Sequence, residues 1–144
     1  MAVTARSSSA QWRGDLKSGS GELSLGSGAF SGEYSFVSRF EEGDGTNPEE
    51  LIAAAHAACF SMALSNILAM AGSTPTSVKT EATLHLEKVD GAMTITRVVL
   101  DTVGEVPGID AAQFVEKAEE AKANCPVSRL LTGATIELNA QFVG

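Results

Sequence analysis

Cys59 and Cys125 are the only two cysteines in this chain of 144 residues. A thiolate is a nucleophile, a metal ligand and one half of a redox couple, whereas the neutral thiol does little of this, so the surroundings of each sulfur decide its use. Cys59 falls within Leu51–Ala71, a stretch without Asp, Glu, Lys or Arg, in helical register with Ile52, Ala55, His56, Met62, Ala63 and Asn66. It reads either as a small core residue or as a nucleophile in apolar surroundings. Cys125 precedes Pro126, and a proline at the first helical position makes Cys125 the N-cap. Free N–H groups and the helix dipole favour a thiolate there, although a cysteine that merely caps would look the same. The two are far apart in the chain, so there is no CxxC motif, and any partnership must be made by the fold. His56 and Cys59, three residues apart, form half of a zinc-site pattern, with His85 and Cys125 as further candidates. His85 lies in a strand pattern and no short-spaced Cys/His pair supports a site, so no metal and no cofactor is assigned.

Two charged residues stand near this chemistry. Arg39 closes a strand-like segment, Tyr34–Phe40, and Glu49 occupies the first turn of a helix. Each has an ordinary reading, as a solvated strand-end charge and as a carboxylate stabilised by the helix dipole.

The elements that must position these residues follow from periodicity and punctuation. A polar tail over residues 1–9 precedes three strand-like pieces, Ala10–Leu16, Gly21–Leu25 and Tyr34–Phe40, separated by Gly/Ser-rich turns. After the loop Glu41–Thr46, Asn47 caps a helix with Pro48 at its first position and Glu50 completing a capping box. Gly72 closes it. Val78–Val89 and Ala92–Val103 alternate about Asp90-Gly91, a hairpin whose Val78, Ala82, Leu84 and Leu86 share a face. Asp110 caps a second helix, Ala111–Ala123, with Phe114, Val115, Ala118 and Ala121 on its apolar face. Pro126–Leu131 forms a third, and Ala134–Phe142 alternates as a last strand.

The long apolar helix has the length to span a bilayer, but it is Ala-rich, carries His56, Ser61, Ser65 and Asn66, and lacks basic flanks. It reads as a core helix covered on every side. At about 36 Å it is long for one small domain to cover, and an intertwined dimer solves that problem. The expectation is one α+β domain over residues 1–144: N-terminal strands, a long buried central helix, an antiparallel sheet, two further helices and a C-terminal strand.

A net charge of -8 argues against nucleic acid and anionic membranes as partners. No apolar leader segment is read at the N-terminus, so the reducing cytoplasm is the expected compartment. There, two cysteines are either inert buried thiols or a working redox pair.

The segment SRFEEGDGTNPEELIAAAHAACFSMALS (Ser38–Ser65) and the later NCPVSRLL (Asn124–Leu131) resemble the osmotically inducible protein C / organic hydroperoxide resistance (OsmC/Ohr) family. The likeness extends to GDLKSGSG, TPTSV and VPGIDAAQF, covers nearly the whole chain, and favours the OsmC branch. The resemblance implies a thiol peroxidase of stress defence. Cys59 matches the family's peroxidatic cysteine, Cys125 its resolving cysteine, Arg39 the arginine that faces the thiolate, and Glu49 the carboxylate that holds that arginine. Arg13 is the alternative arginine, because the other branch supplies its own from nearer the N-terminus. The substrates implied are organic hydroperoxides and also hydrogen peroxide, and the reductant a dithiol of lipoyl type. Glu49 and Cys59 are ten residues apart on one helix, about 15 Å of rise, so a Cys–Arg–Glu cluster is simplest if Glu49 comes from a partner chain. The competing reading is a non-catalytic stress or ligand-binding protein of the same fold.

Overall fold

The computed structural model describes residues 4–144, in two compact units, Met1–Leu51 and Ile52–Gly144. The expected tail falls partly outside the described residues, at 1–3. Its last two residues, Ser8 and Ser9, are paired strand residues opposite Leu25 and Ser24.

The first unit is a three-stranded antiparallel sheet of β1 (Ser8–Arg13), β2 (Ser20–Leu25) and β3 (Ser31–Tyr34) in that order. Trp12 and Tyr34 sit 5.4 Å apart, ring to ring. Both rings lie across Gly21, where a Cβ would come within 2.7 Å of Trp12 and 2.5 Å of Tyr34, so only glycine fits. The expected strand Tyr34–Phe40 is corrected by the structure: β3 stops at Tyr34, and α1 (Phe36–Phe40) is a short helix. The reason is local. Ser35 caps the Ser38 N–H at 3.1 Å, and the Ser38 hydroxyl accepts from the Ser35 N–H at 2.8 Å, a reciprocal box that turns the chain.

α2 (Pro48–Met70) begins at the end of this unit. Asn47 accepts from the Glu50 N–H at 2.8 Å as expected of a cap. The second half of the expected capping box is absent, because the Glu50 carboxylate accepts from the Thr46 hydroxyl at 2.6 Å. Gly72 follows with φ 94, the left-handed closure its position required.

In the second unit β4 (Ser77–Val89) and β5 (Ala92–Glu105) form the hairpin, with Asp90 and Gly91 at φ 50 and 82, the primed turn that matches strand twist. α3 (Ala111–Asn124) and α4 (Pro126–Leu130) then carry the chain back to β6 (Thr135–Phe142). β6 pairs parallel with β5, so the sheet is antiparallel only across the hairpin. A crossover connection returns the chain in the same direction, which strand alternation cannot reveal. Leu86 lies beyond a register shift after His85 and is outside the core set, while Val115 of α3 is 42% exposed.

The core gathers Phe60, Leu64 and Leu68 of α2, Val98 and Leu100 of β5, and Phe114, Ala118 and Ala121 of α3, with Cys125 among them. α2 is not covered on every side within the chain. It buries one stripe, His56, Phe60, Leu64 and Leu68, spaced by four, and leaves Met62 76% and Met70 81% exposed. By length and composition α2 would also suit a membrane. Its buried stripe packs into the sheet-and-helix core instead, and Ser61 donates to Thr80 of β4 at 2.8 Å.

Candidate active site

Cys59 lies at the margin of the buried stripe of α2, half-buried, and packs against the core. Cys125 is fully buried between α3 and α4. Its N–H donates to the Ala121 carbonyl at 2.9 Å and its carbonyl accepts from Arg129 N–H at 3.0 Å, so its backbone ends one helix and begins the next. Both thiols are free, and Cys125 Sγ stands 2.9 Å from Cys59 Sγ. Closing that gap by roughly 0.9 Å reaches the length of an S–S bond. The fold thus brings together two sulfurs that lie 66 positions apart in the chain.

At the N-terminus of α4 the expected cap and proline are both in place. Cys125 is its N-cap and Pro126 its first residue, but the Cys125 side chain makes no capping hydrogen bond. Proline has no N–H to give, and the Val127 N–H that follows it favours the Cys59 thiolate. It does not prevail within the chain. Burial pushes the Cys59 thiol above its ordinary value and the neighbouring Cys125 pushes the same way, with Val127 opposing.

Arg39 and Glu49 come together in the first unit as a two-pronged ion pair. Arg39 Nε donates to Glu49 Oε1 at 3.0 Å and Nη2 to Oε2 at 2.9 Å. This fork matches the guanidinium plane to the carboxylate plane and fixes the arginine's orientation. The hydrogen bond to Glu49 raises the Arg39 pKa further, so the side chain is a permanent cation. The guanidinium also lies 5.2 Å from the centre of the Phe40 ring. Their placement rests on small polar groups. Ser38 Oγ donates to the Thr46 carbonyl at 2.8 Å, and Asn47 Nδ2 donates to the Ser38 carbonyl at 2.9 Å, which ties α1 to the start of α2. Arg39 borders a cavity of about 390 Å³ walled by Trp12, Leu16, Tyr34, Phe36 and Phe40. The aromatic wall joins two stretches of chain, Trp12–Leu16 and Tyr34–Phe40, whose meeting the sequence does not show.

Arg13, the alternative arginine, projects from β1 to Glu22 at 3.3 Å and Gln11 at 2.8 Å, in an exposed pair. His85 Nε2 lies 3.0 Å from Arg97 Nη2. Among the described residues no three His, Cys, Asp or Glu side chains gather as a metal site. His56 is completely buried, and its Nε2 meets Ser128 Oγ at 2.7 Å. Ser128 carried no signal of its own in the sequence, and only the fold reveals it.

The family model described as OsmC-like protein matches residues 41–139. Peroxiredoxin OsmC of Escherichia coli (strain K12) is 52% identical over 134 residues, which are 92% of this chain and 93% of that protein. The organic hydroperoxide resistance protein of Xanthomonas axonopodis pv. citri is 34% identical over 92 residues, 63% of each chain. Among solved structures, the organic hydroperoxide resistance protein OhrB of Bacillus subtilis superposes with a TM-score of 0.76 at 25% identity, over 94% of this chain and 98% of that one.

Proposed function

Because the chain belongs to the OsmC-like protein family, and is by that kinship a cysteine-based hydroperoxide reductase of stress defence, we propose that Cys59 is its peroxidatic thiol and Cys125 its resolving thiol. The observation that carries this reading is the 2.9 Å approach of the two sulfurs. The partial exposure of Cys59 supports its meeting the substrate first, and the full burial of Cys125 beside it supports a resolving role. The Cys59 thiolate attacks the terminal peroxide oxygen, an S–O bond forms as the O–O bond breaks, Cys59 becomes a sulfenic acid, and the alkoxide takes up a proton and leaves as an alcohol. Cys125 then attacks the sulfenic sulfur, its thiol proton and the sulfenic hydroxyl leave as water, and a disulfide forms. A dithiol, of lipoyl type in this reading, returns both cysteines to thiols and carries the oxidising equivalents away as its own disulfide.

Burial and the neighbouring Cys125 both push the Cys59 thiol up, away from its reactive thiolate, so the chemistry calls for a cation. Arg39, aimed by Glu49, is that cation in our reading, and Arg13 is the weaker candidate because it is an exposed strand residue engaged with Glu22. The arginine would also stabilise the oxyanion leaving the O–O bond. The aromatic cavity beside Arg39 suits the carbon chain of an organic hydroperoxide, with hydrogen peroxide a poorer substrate. We read the working form as a homodimer in which each chain presents Arg39 and Glu49 to the partner's thiol. The apolar surface of α2 around Met62 and Met70 supports a second copy as its cover. The intrachain Arg39–Glu49 fork requires the two to travel together, rather than Glu49 alone crossing over. The similarity to the Escherichia coli protein runs through both units, which supports one functional domain. The compartment in this reading is the cytoplasm, where dithiol reductants are plentiful.

The test is turnover of cumene hydroperoxide and of hydrogen peroxide with dihydrolipoamide or other dithiols as reductant. Organic substrate should be preferred, and Cys59→Ser should be inert. Absence of turnover with any peroxide would return the chain to the non-catalytic class, and turnover that survives in Cys59→Ser would remove Cys59 as the nucleophile.

A further inference from the structure

His56 and Ser128 take no part in the chemistry above, yet they join the same two helices as the reactive thiols. His56 lies one turn before Cys59 on α2, and Ser128 one turn after Cys125 on α4. Nε2 to Oγ is 2.7 Å and Sγ to Sγ is 2.9 Å, so two polar rungs run side by side between the helices. Both members of the first rung are buried, His56 completely and Ser128 to within 4%. His56 Nδ1 is buried with no hydrogen-bond partner among the described residues. A core position that needed only volume would be filled more favourably by a leucine, since an orphaned buried nitrogen is costly. Packing therefore does not explain a histidine here. Burial lowers its pKa, so the ring stays neutral and the rung is an uncharged hydrogen bond.

What the rung holds is α4. That helix has five residues, too few to hold itself by its own hydrogen bonds. Its placement decides the reach of Cys125, at its cap, toward Cys59, and it carries the Val127 N–H that favours the Cys59 thiolate.

We propose that His56 is a positioning residue for disulfide formation, acting through Ser128 to hold α4 so that Cys125 stays within bonding reach of an oxidised Cys59. This rests on the reading of Cys59 as the thiol oxidised first and Cys125 as its resolver. In that step Cys125 supplies a thiol proton, the S–S bond forms, the S–O bond of the sulfenic acid breaks, and water leaves. Excess peroxide competes by carrying the sulfenic acid on to sulfinic acid. Loosening α4 slows the first route and leaves the second alone.

The experiment uses the full-length protein, reduced, pulsed with graded cumene hydroperoxide, quenched with an alkylating agent and read by mass spectrometry for disulfide against sulfinic acid on Cys59. Ser128→Ala removes the rung. The double variant His56→Leu with Ser128→Ala removes both polar partners while keeping the core filled, so that no orphan remains. Both should shift the partition toward sulfinic acid about tenfold, the weight of one ordinary hydrogen bond, and move iodoacetamide reactivity of Cys59 to higher pH. Ser128→Thr, which keeps the hydroxyl, should restore both. A wild-type partition, within twofold, in the folded double variant would overturn the proposal. So would failure of both variants to fold, because the link would then be structural rather than positioning. If the wild-type protein itself forms no Cys59–Cys125 disulfide, the parent reading falls; a normal disulfide in wild type and variants alike removes only the role of His56.

Discussion

Glu49→Gln is the smallest change that tests how Arg39 is held. The carboxylate accepts two hydrogen bonds from the guanidinium, at 2.9 and 3.0 Å. An amide of the same shape keeps one acceptor, turns a donor toward the other prong and removes the charge. Hydrogen bonds to charged groups contribute about 1.5–3 kcal/mol when desolvated. The Glu49 side chain is 12% exposed, but that of Arg39 is 34% exposed, so solvent screens part of this. The expected loss is about 1–2 kcal/mol, which lowers the population of correctly aimed Arg39 by roughly 5- to 30-fold. Peroxidase kcat/KM should fall by a similar factor in Glu49→Gln and further in Arg39→Ala. Arg39→Lys should not rescue, because an ammonium lacks the planar fork. The decisive assay is the pH profile of Cys59 alkylation. With its cation gone, the Arg39→Ala thiol should ionise at least about one pH unit higher, the effect of roughly 1.4 kcal/mol at the sulfur. An unchanged profile in Arg39→Ala would refute the reasoning and send the search to Arg13→Ala.

If the site is shared between two copies, inactive Cys59→Ser and Glu49→Ala subunits refolded together should regain part of wild-type turnover; a fully active monomer in light scattering would end that idea. Thermal unfolding should show an acid-side loss owed to His56. Its folded pKa is lowered by burial, so the unfolded chain binds the extra proton. The stability it contributes is complete above the unfolded value of about 6.5 and is lost as pH falls toward the lower folded value, by at most about 1.4 kcal/mol per pH unit. His56→Leu should flatten that limb, and an undiminished limb in this variant would assign it to other groups.

Much of this architecture was legible because its signals are local. The α2 start at Pro48, its glycine stop, the Asp90-Gly91 hairpin and the α3 cap at Asp110 are each written in a few adjacent residues. Where the reading went astray, another arrangement of the same residues won. Ser35 and Ser38 box a helical turn out of what looked like a strand, and Thr46 takes the Glu50 carboxylate from the expected cap. The parallel pairing of β6 depends on a crossover that alternation cannot encode. For the candidate site, the types Cys59, Cys125, Arg39 and Glu49 were visible, and kinship suggested their roles. The fork between Arg39 and Glu49 and the rung from His56 to Ser128 were not, since each depends on elements meeting in space. Apolar content on α2 likewise said that the helix must be covered, but not that one chain covers a single stripe.

The most direct test of the account is a single turnover followed by intact-mass and peptide spectrometry. Fully reduced protein is mixed with one equivalent of cumene hydroperoxide without reductant and quenched over time. Wild-type protein should lose two hydrogens per chain as a Cys59–Cys125 disulfide forms within the chain, with one alcohol released. Cys125→Ser should instead gain oxygen on Cys59 alone, and Cys59→Ser should leave both the peroxide and Cys125 untouched. Oxidation of Cys125 in the Cys59→Ser variant, at the rate seen for wild type, would contradict the assignment of Cys59 as the attacking thiol.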